Sequence, residues 1–77
     1  MALIGIIVHN PEAVDELNSL LHEYSQYIIG RMGVPYRERG LSIISVALDA
    51  PNDTISALAG KLGMIEGVSS KTTFPKA

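Results

Sequence analysis

The sequence predicts an α+β fold in which a four-stranded antiparallel sheet carries two helices on one face, in the order strand, helix, strand, strand, helix, strand. Three observations predict it. Residues 27–48 form two apolar runs about a short charged turn, Arg37-Glu38-Arg39, and read as a central hairpin. Each side of that hairpin carries one stretch with apolar residues at three- and four-residue steps and one short apolar or alternating run. An isolated hairpin is marginal in water, so the flanking segments must cover it.

Leu3 to Val8 is a mostly β-branched apolar run, too short for an independent helix, and reads as a central strand. Asn10 follows where a helix N-cap belongs, with Pro11 at the first helical position and Glu12 and Asp15 where the helix dipole favours acids. Val14, Leu17, Leu21 and Tyr24, widened by Leu20, form one stripe for packing on a sheet. In the hairpin, Gly30, Gly33 and Pro35 interrupt the first strand and mark a bulge, an edge or a close approach by another backbone. Leu41 to Leu48 is nearly continuous in β-branched and aliphatic residues, the pattern of a strand buried on both faces. Asp49 to Asp53 offers capping and acidic first-turn residues for a second helix, whose stripe is Ile55, Leu58, Ala59 and Leu62. Gly63 is expected as its left-handed terminator, beside Lys61 in the last turn. Gly67 to Phe74 alternates like a half-exposed edge strand protected by Lys71, and Pro75 stops it.

Two strand–helix–strand halves about a hairpin are the split ferredoxin-like arrangement, and right-handed crossovers give strand order 4-1-3-2. Residues 1–77 are expected to form one domain. Two helices cover one face only. Period-two reading puts Ile4, Ile6 and Val8 on one face of the first strand and Leu3, Gly5 and Ile7 on the other; the third strand divides as Ile44, Val46 and Leu48 against Leu41, Ile43, Ser45 and Ala47. Both faces are largely apolar, so association through the free face or an edge strand is expected, as a homodimer or tetramer.

Composition points the same way. The chain has 77 residues, of which 47% are hydrophobic and 18% charged. A chain this short buries only about 60–65% of its unfolded surface, so it calls for staples or partners. It has no cysteine, which excludes disulfides, thiolate metal sites and cysteine nucleophiles. Its net charge is −2 and no basic stripe is visible, so direct nucleic-acid binding is not expected. No run approaches the ~20 apolar residues of a membrane span. The N-terminal run lacks the basic segment and cleavage pattern of a signal peptide. A cytoplasmic location without membrane partners is expected.

The run Leu21-His22-Glu23-Tyr24-Ser25, the segment Tyr27 to Tyr36 with its Ile29-Gly30-Arg31-Met32-Gly33 core, Gly40 to Ser45, Asp49 to Asp53 and Gly60-Lys61-Leu62-Gly63 together resemble the family of iron-only hydrogenase system regulators. The resemblance covers almost the whole chain. It implies an ACT-like, ferredoxin-like fold and a role in regulating that hydrogenase system; the family name fixes no ligand. In layout the chain is also similar to the C-terminal sensor domain of the nickel-responsive repressor. The positions of that family's two strand histidines are Gly33 and Pro35 here, its cysteine ligand has no counterpart, and only His22 falls near a matching histidine. Square-planar nickel binding therefore does not carry over. Nor does the repressor's ribbon-helix-helix DNA-binding segment.

Two candidate ligand-binding stretches follow. His9, Asn10 and Pro11 join a strand to a helix N-terminus, where free N–H groups receive a carboxylate; the same residues also read as an ordinary helix cap. Related ACT domains bind amino acids or similar small effectors at such loops and at subunit interfaces. Gly30, Arg31 and Gly33 combine close backbone approach with a guanidinium fork for a carboxylate or phosphate, and read equally as packing between subunits. His9 and His22 lack the spacing of a metal set, so no metal site is assigned and no cofactor is expected. The serines Ser42, Ser45, Ser69 and Ser70 have no activating partners at legible spacing, and Gly60-Lys61 lacks the setting of a phosphate loop, so an enzyme is not expected. The leading expectation is a regulatory or sensor module that self-associates and takes a small effector between subunits. A pure oligomerisation scaffold and a divalent-metal sensor using His9 or His22 are the alternatives.

Overall fold

A computed structural model describes residues 1–76. Its elements are β1 (Ala2–Val8), α1 (Val14–Glu23), β2 (Ile28–Tyr36), β3 (Leu41–Leu48), α2 (Asn52–Gly63) and β4 (Val68–Thr73). Single 3-10 turns at Pro11–Ala13, Ser25–Tyr27 and Arg37–Arg39 join them. The sheet is antiparallel in the order β2-β3-β1-β4, which is the expected 4-1-3-2 read from the other edge.

Alternation along β1 is complete: Ala2, Ile4, Ile6 and Val8 are buried and the residues between them are exposed. β1 pairs Ile4 with Val46 and Ile6 with Ile44, so the inward residues of the two central strands fall in register. Leu17 and Leu21 of α1 and Ile55, Leu58 and Leu62 of α2 close over them, each essentially without solvent contact. Burying side chains of this kind is worth about 1.5–3 kcal/mol each against exposure, enough to offset the ordering of two short helices. No polar residue is buried in this core among the described residues.

Two expectations change in detail. Pro11 opens a 3-10 turn that runs into α1, and Asn10 caps that turn: its Oδ1 accepts from the Glu12 N–H at 3.0 Å. Gly63 is the last residue of α2 and is not left-handed; positive φ occurs at Gly40 (64°) and Gly67 (85°). The chain turns out of α2 through Ile65, whose N–H donates to the Leu62 carbonyl, and the sharp turn is delayed to Gly67, directly before β4. On β3 both helices lie on the same side, and Ile43 on the side they leave free is 46% exposed.

Candidate functional site

The free face of the sheet is built by the outward half of each strand's alternation. β1 contributes Leu3, Gly5 and Ile7, and β3 contributes Leu41, Ile43, Ser45 and Ala47, paired across the ladder. β4 adds Ser69, Lys71 and Thr73 opposite Ile7, Gly5 and Leu3. On β2 a bulge intervenes: Ile28 pairs with Leu48 and Gly30 with the next residue, Ala47, leaving Ile29 over. Beyond it Met32, Val34 and Tyr36 pair with Ser45, Ile43 and Leu41 and share their outward side. Of the exposed large apolar residues, all but Met64 lie on this face or at its margin.

Neither candidate stretch stands alone on this surface, and the fold does not bring the two together. His9 continues the outward column of β1, and its Nε2 is hydrogen-bonded to Ser69 Oγ at 2.9 Å. Its backbone N–H donates to the Gly67 carbonyl at 2.7 Å, so the 9–11 segment is tied to the turn before β4. Gly30, Arg31 and Gly33 lie on β2, with β3 between them and β1. They are also split between faces. Gly30 pairs with outward Ala47, whereas Arg31 and Gly33 pair with inward Val46 and Ile44. Arg31 accordingly reaches the helix layer, where its Nη2 donates to Asn18 Oδ1 of α1 at 2.6 Å. Arg31, Gly33, Pro35, Ser42 and Ile44 line a hollow of about 180 Å³, open because Gly33 and Pro35 project so little there. A guanidinium with one nitrogen engaged keeps donors for a carboxylate or phosphate.

Two further concavities escaped the sequence. Leu3, Ile29, Ala47, Thr73, Phe74 and Pro75 surround an apolar cavity of about 290 Å³ at one end of the free face. The alternation Met32, Val34, Tyr36 was the available signal for this face of β2; Ile29 could be placed there only once the bulge was known. On the opposite side of the molecule, a groove of about 390 Å³ runs between α1 and α2, lined by Glu16, Leu20, Glu23, Lys61 and Met64. There Lys61 Nζ sits 5.2 Å from the centre of the Tyr24 ring and 4.0 Å from Glu23 Oε2. Its pKa is raised above the usual 10.5, chiefly by Tyr24 as hydrogen-bonding and Coulombic neighbour, with Glu23 adding to the effect. His22 lies exposed near the end of α1. No group of three or more His, Asp and Glu residues that could hold a metal ion occurs among the described residues, and no helix is long and apolar enough to cross a membrane.

Comparison with known proteins bears on the fold and on function. A family model described as "TM1266-like: Iron-only hydrogenase system regulator, putative" matches residues 1–72. The solved structure of the uncharacterized protein TM1266 from Thermotoga maritima is 44% identical, with a TM-score of 0.90, covering 94% of this chain and 91% of that one. The C-terminal domain of the MgtC protein from Mycobacterium tuberculosis superposes with a TM-score of 0.68 at 11% identity, covering 94% of this chain and 83% of that domain. A formyltetrahydrofolate deformylase from Pseudomonas putida KT2440 gives 0.67 at 20% identity over 96% of this chain, which spans only 28% of that enzyme. The last two likenesses show the shared fold alone. No curated protein matches.

Proposed function

The chain belongs to the TM1266-like family of iron-only hydrogenase system regulators, and from that membership we propose that it is a non-enzymatic regulatory module, one ACT-like domain that pairs with a second copy through its free sheet face and takes a small effector on the other side of the sheet, at the Arg31 hollow beside β2. One observation carries the pairing: the concentration of exposed Leu3, Ile7, Met32, Val34, Tyr36 and Ile43 on a single side of the sheet. Their exposed area, with Ile29 and Phe74, is on the order of 700 Å², above the 300–600 Å² of the largest patch on a typical monomer and close to the ~800 Å² per partner of a standard interface. No carboxylate stands on the strand positions of this face, so two copies meet there without acidic repulsion. A second copy is the occupant that an apolar, self-facing surface of this size suits.

The effector is expected to be anionic. Arg31 in its hollow over Gly33 and Ser42 supports that class, since a planar fork binds carboxylate or phosphate in two-point fashion. Sedimentation equilibrium at micromolar concentration tests the pairing: the wild type sediments as a dimer or larger and Ile43→Glu as a folded monomer, whereas a monomeric wild type overturns it. A thermal-shift screen with amino acids, nucleotides and divalent cations tests the sensing. An anionic effector raises the Tm by mass action, and Arg31→Ala removes the shift. No shift with any class leaves a scaffold without a ligand, and a shift with cations alone leaves a metal sensor.

A further inference from the structure

We propose that the two copies meet in one defined register, set by an alternation of large and small residues in which Ile7 of each copy seats on Gly5 of the other and Ile43 seats on Ser45. This register presupposes the face-to-face pairing proposed above and adds to it which residues touch. The strand pairing arranges the free face in rows across the sheet. Val34, Ile43 and Ile7 form one row, and Met32, Ser45, Gly5 and Lys71 the next. The first is a ridge of branched side chains. The second is a furrow at its centre, where Gly5 has no side chain and a Cβ built there meets nothing within 4 Å.

Successive rows on one face lie about 6.6–6.8 Å apart along the strands. A two-fold axis running along the rows, midway between ridge and furrow, lays the ridge of each copy in the furrow of the other. It keeps each strand above its own counterpart, so Ile7 meets Gly5 and Ile43 meets Ser45. The same operation carries the outer rows onto each other. Tyr36 then lies over Gly30 and Leu41 over Ala47, again large on small. These four matches are large on small, each occurring twice as a two-fold interface requires, while at the β2 edge the same operation lays Val34 on Met32, a large pair that the unbranched Met32 accommodates by bending aside. Packed sheets also interdigitate their inner side chains at about 10 Å separation with strands within about 30° of alignment, a twist that least disturbs the central β1 and β3 pairs.

Gly5→Val tests the register by filling the furrow. The substitution suits a strand and meets free space in the isolated subunit, so the subunit fold holds by circular dichroism, the Tm falls only by what dimerisation had contributed, and a non-specific apolar association would be unchanged or strengthened. In the proposed register it weakens dimerisation at least tenfold by sedimentation equilibrium, and Gly5→Val with Ile7→Ala, which exchanges the sizes across the contact, recovers most of the loss. As a second measurement, mixing Ile43→Cys and Ser45→Cys chains, which bring the only thiols, and adding a short bis-maleimide that spans the gap between opposed sheets gives crosslinked heterodimers in preference to either homodimer. Full-strength dimers of Gly5→Val together with absent heterodimer crosslinks overturn the register. If Ile43→Glu still dissociates the wild-type assembly in that case, the pairing through this face stands; if it does not, or if the wild type is monomeric, the pairing falls as well.

Discussion

Gly67 and Asn10 pack so closely that a Cβ on residue 67 would lie 2.6 Å from the Asn10 Cβ, closer than real Cβ contacts come. Gly67 also has φ of 85°, so both space and backbone demand glycine. Gly67→Ala is expected to destabilise the fold by about 1–3 kcal/mol, lowering the Tm of a domain this size by several degrees. Denaturant unfolding followed by circular dichroism measures it; an unchanged midpoint would mean that the β4 turn relaxes freely.

Asn10 also holds the entry to α1 through its side-chain oxygen. Asn10→Ala keeps the Cβ and removes the acceptor, and should cost about 1 kcal/mol, whereas Asn10→Asp, which keeps the acceptor at a helix start, should cost little. The comparison of the two unfolding midpoints separates capping from packing against Gly67.

Gly60 is a contrasting case. It lies inside α2 with ordinary backbone angles and free space at its Cβ position. Gly60→Ala should stabilise the chain by about 0.5–1 kcal/mol through helix propensity and a less flexible unfolded state. A fall in Tm would contradict the reading of Gly60 as an unconstrained helix position.

Lys61 links stability to pH at the alkaline end. The folded state favours its protonated form, so the pKa lies above 10.5 when folded. The contribution is fully present below the unfolded pKa and is lost as pH rises through the folded one. The Tm difference between wild type and Lys61→Met should therefore be constant across the neutral range and shrink only as the pH rises past 10.5 and through the raised folded pKa. A difference that varied across the neutral range would contradict the assignment to Lys61.

Most of the fold was legible because its signals are local. The inward residues Ile4, Ile6 and Val8, the stripe Leu17–Leu21 and the paired half Ile44, Val46 and Leu48 all follow from periodicity, and the antiparallel register then aligns them. What was not legible depends on partners distant in sequence. Gly63 looked like a terminator because Gly ends many helices, yet the turn fell at Gly67, where Asn10 crowds it from the far end of β1. Glycine and arginine on β2 promised one constellation, and the pairing with β3 sends Gly30 outward and Arg31 toward Asn18. His9 gave no hint of Ser69, sixty positions away.

The extra residue at Ile29 fixes the parity of everything after it on β2. Without it, Met32, Val34 and Tyr36 would turn beneath the helices, and Arg31, Gly33 and Pro35 would surface on the other side. Loss of a single codon here would thus exchange a greasy stripe for a charged, notched one while leaving every other strand intact. If copies pair through this face, a one-residue deletion at the start of β2 would abolish the pairing by parity alone, with no core residue exchanged.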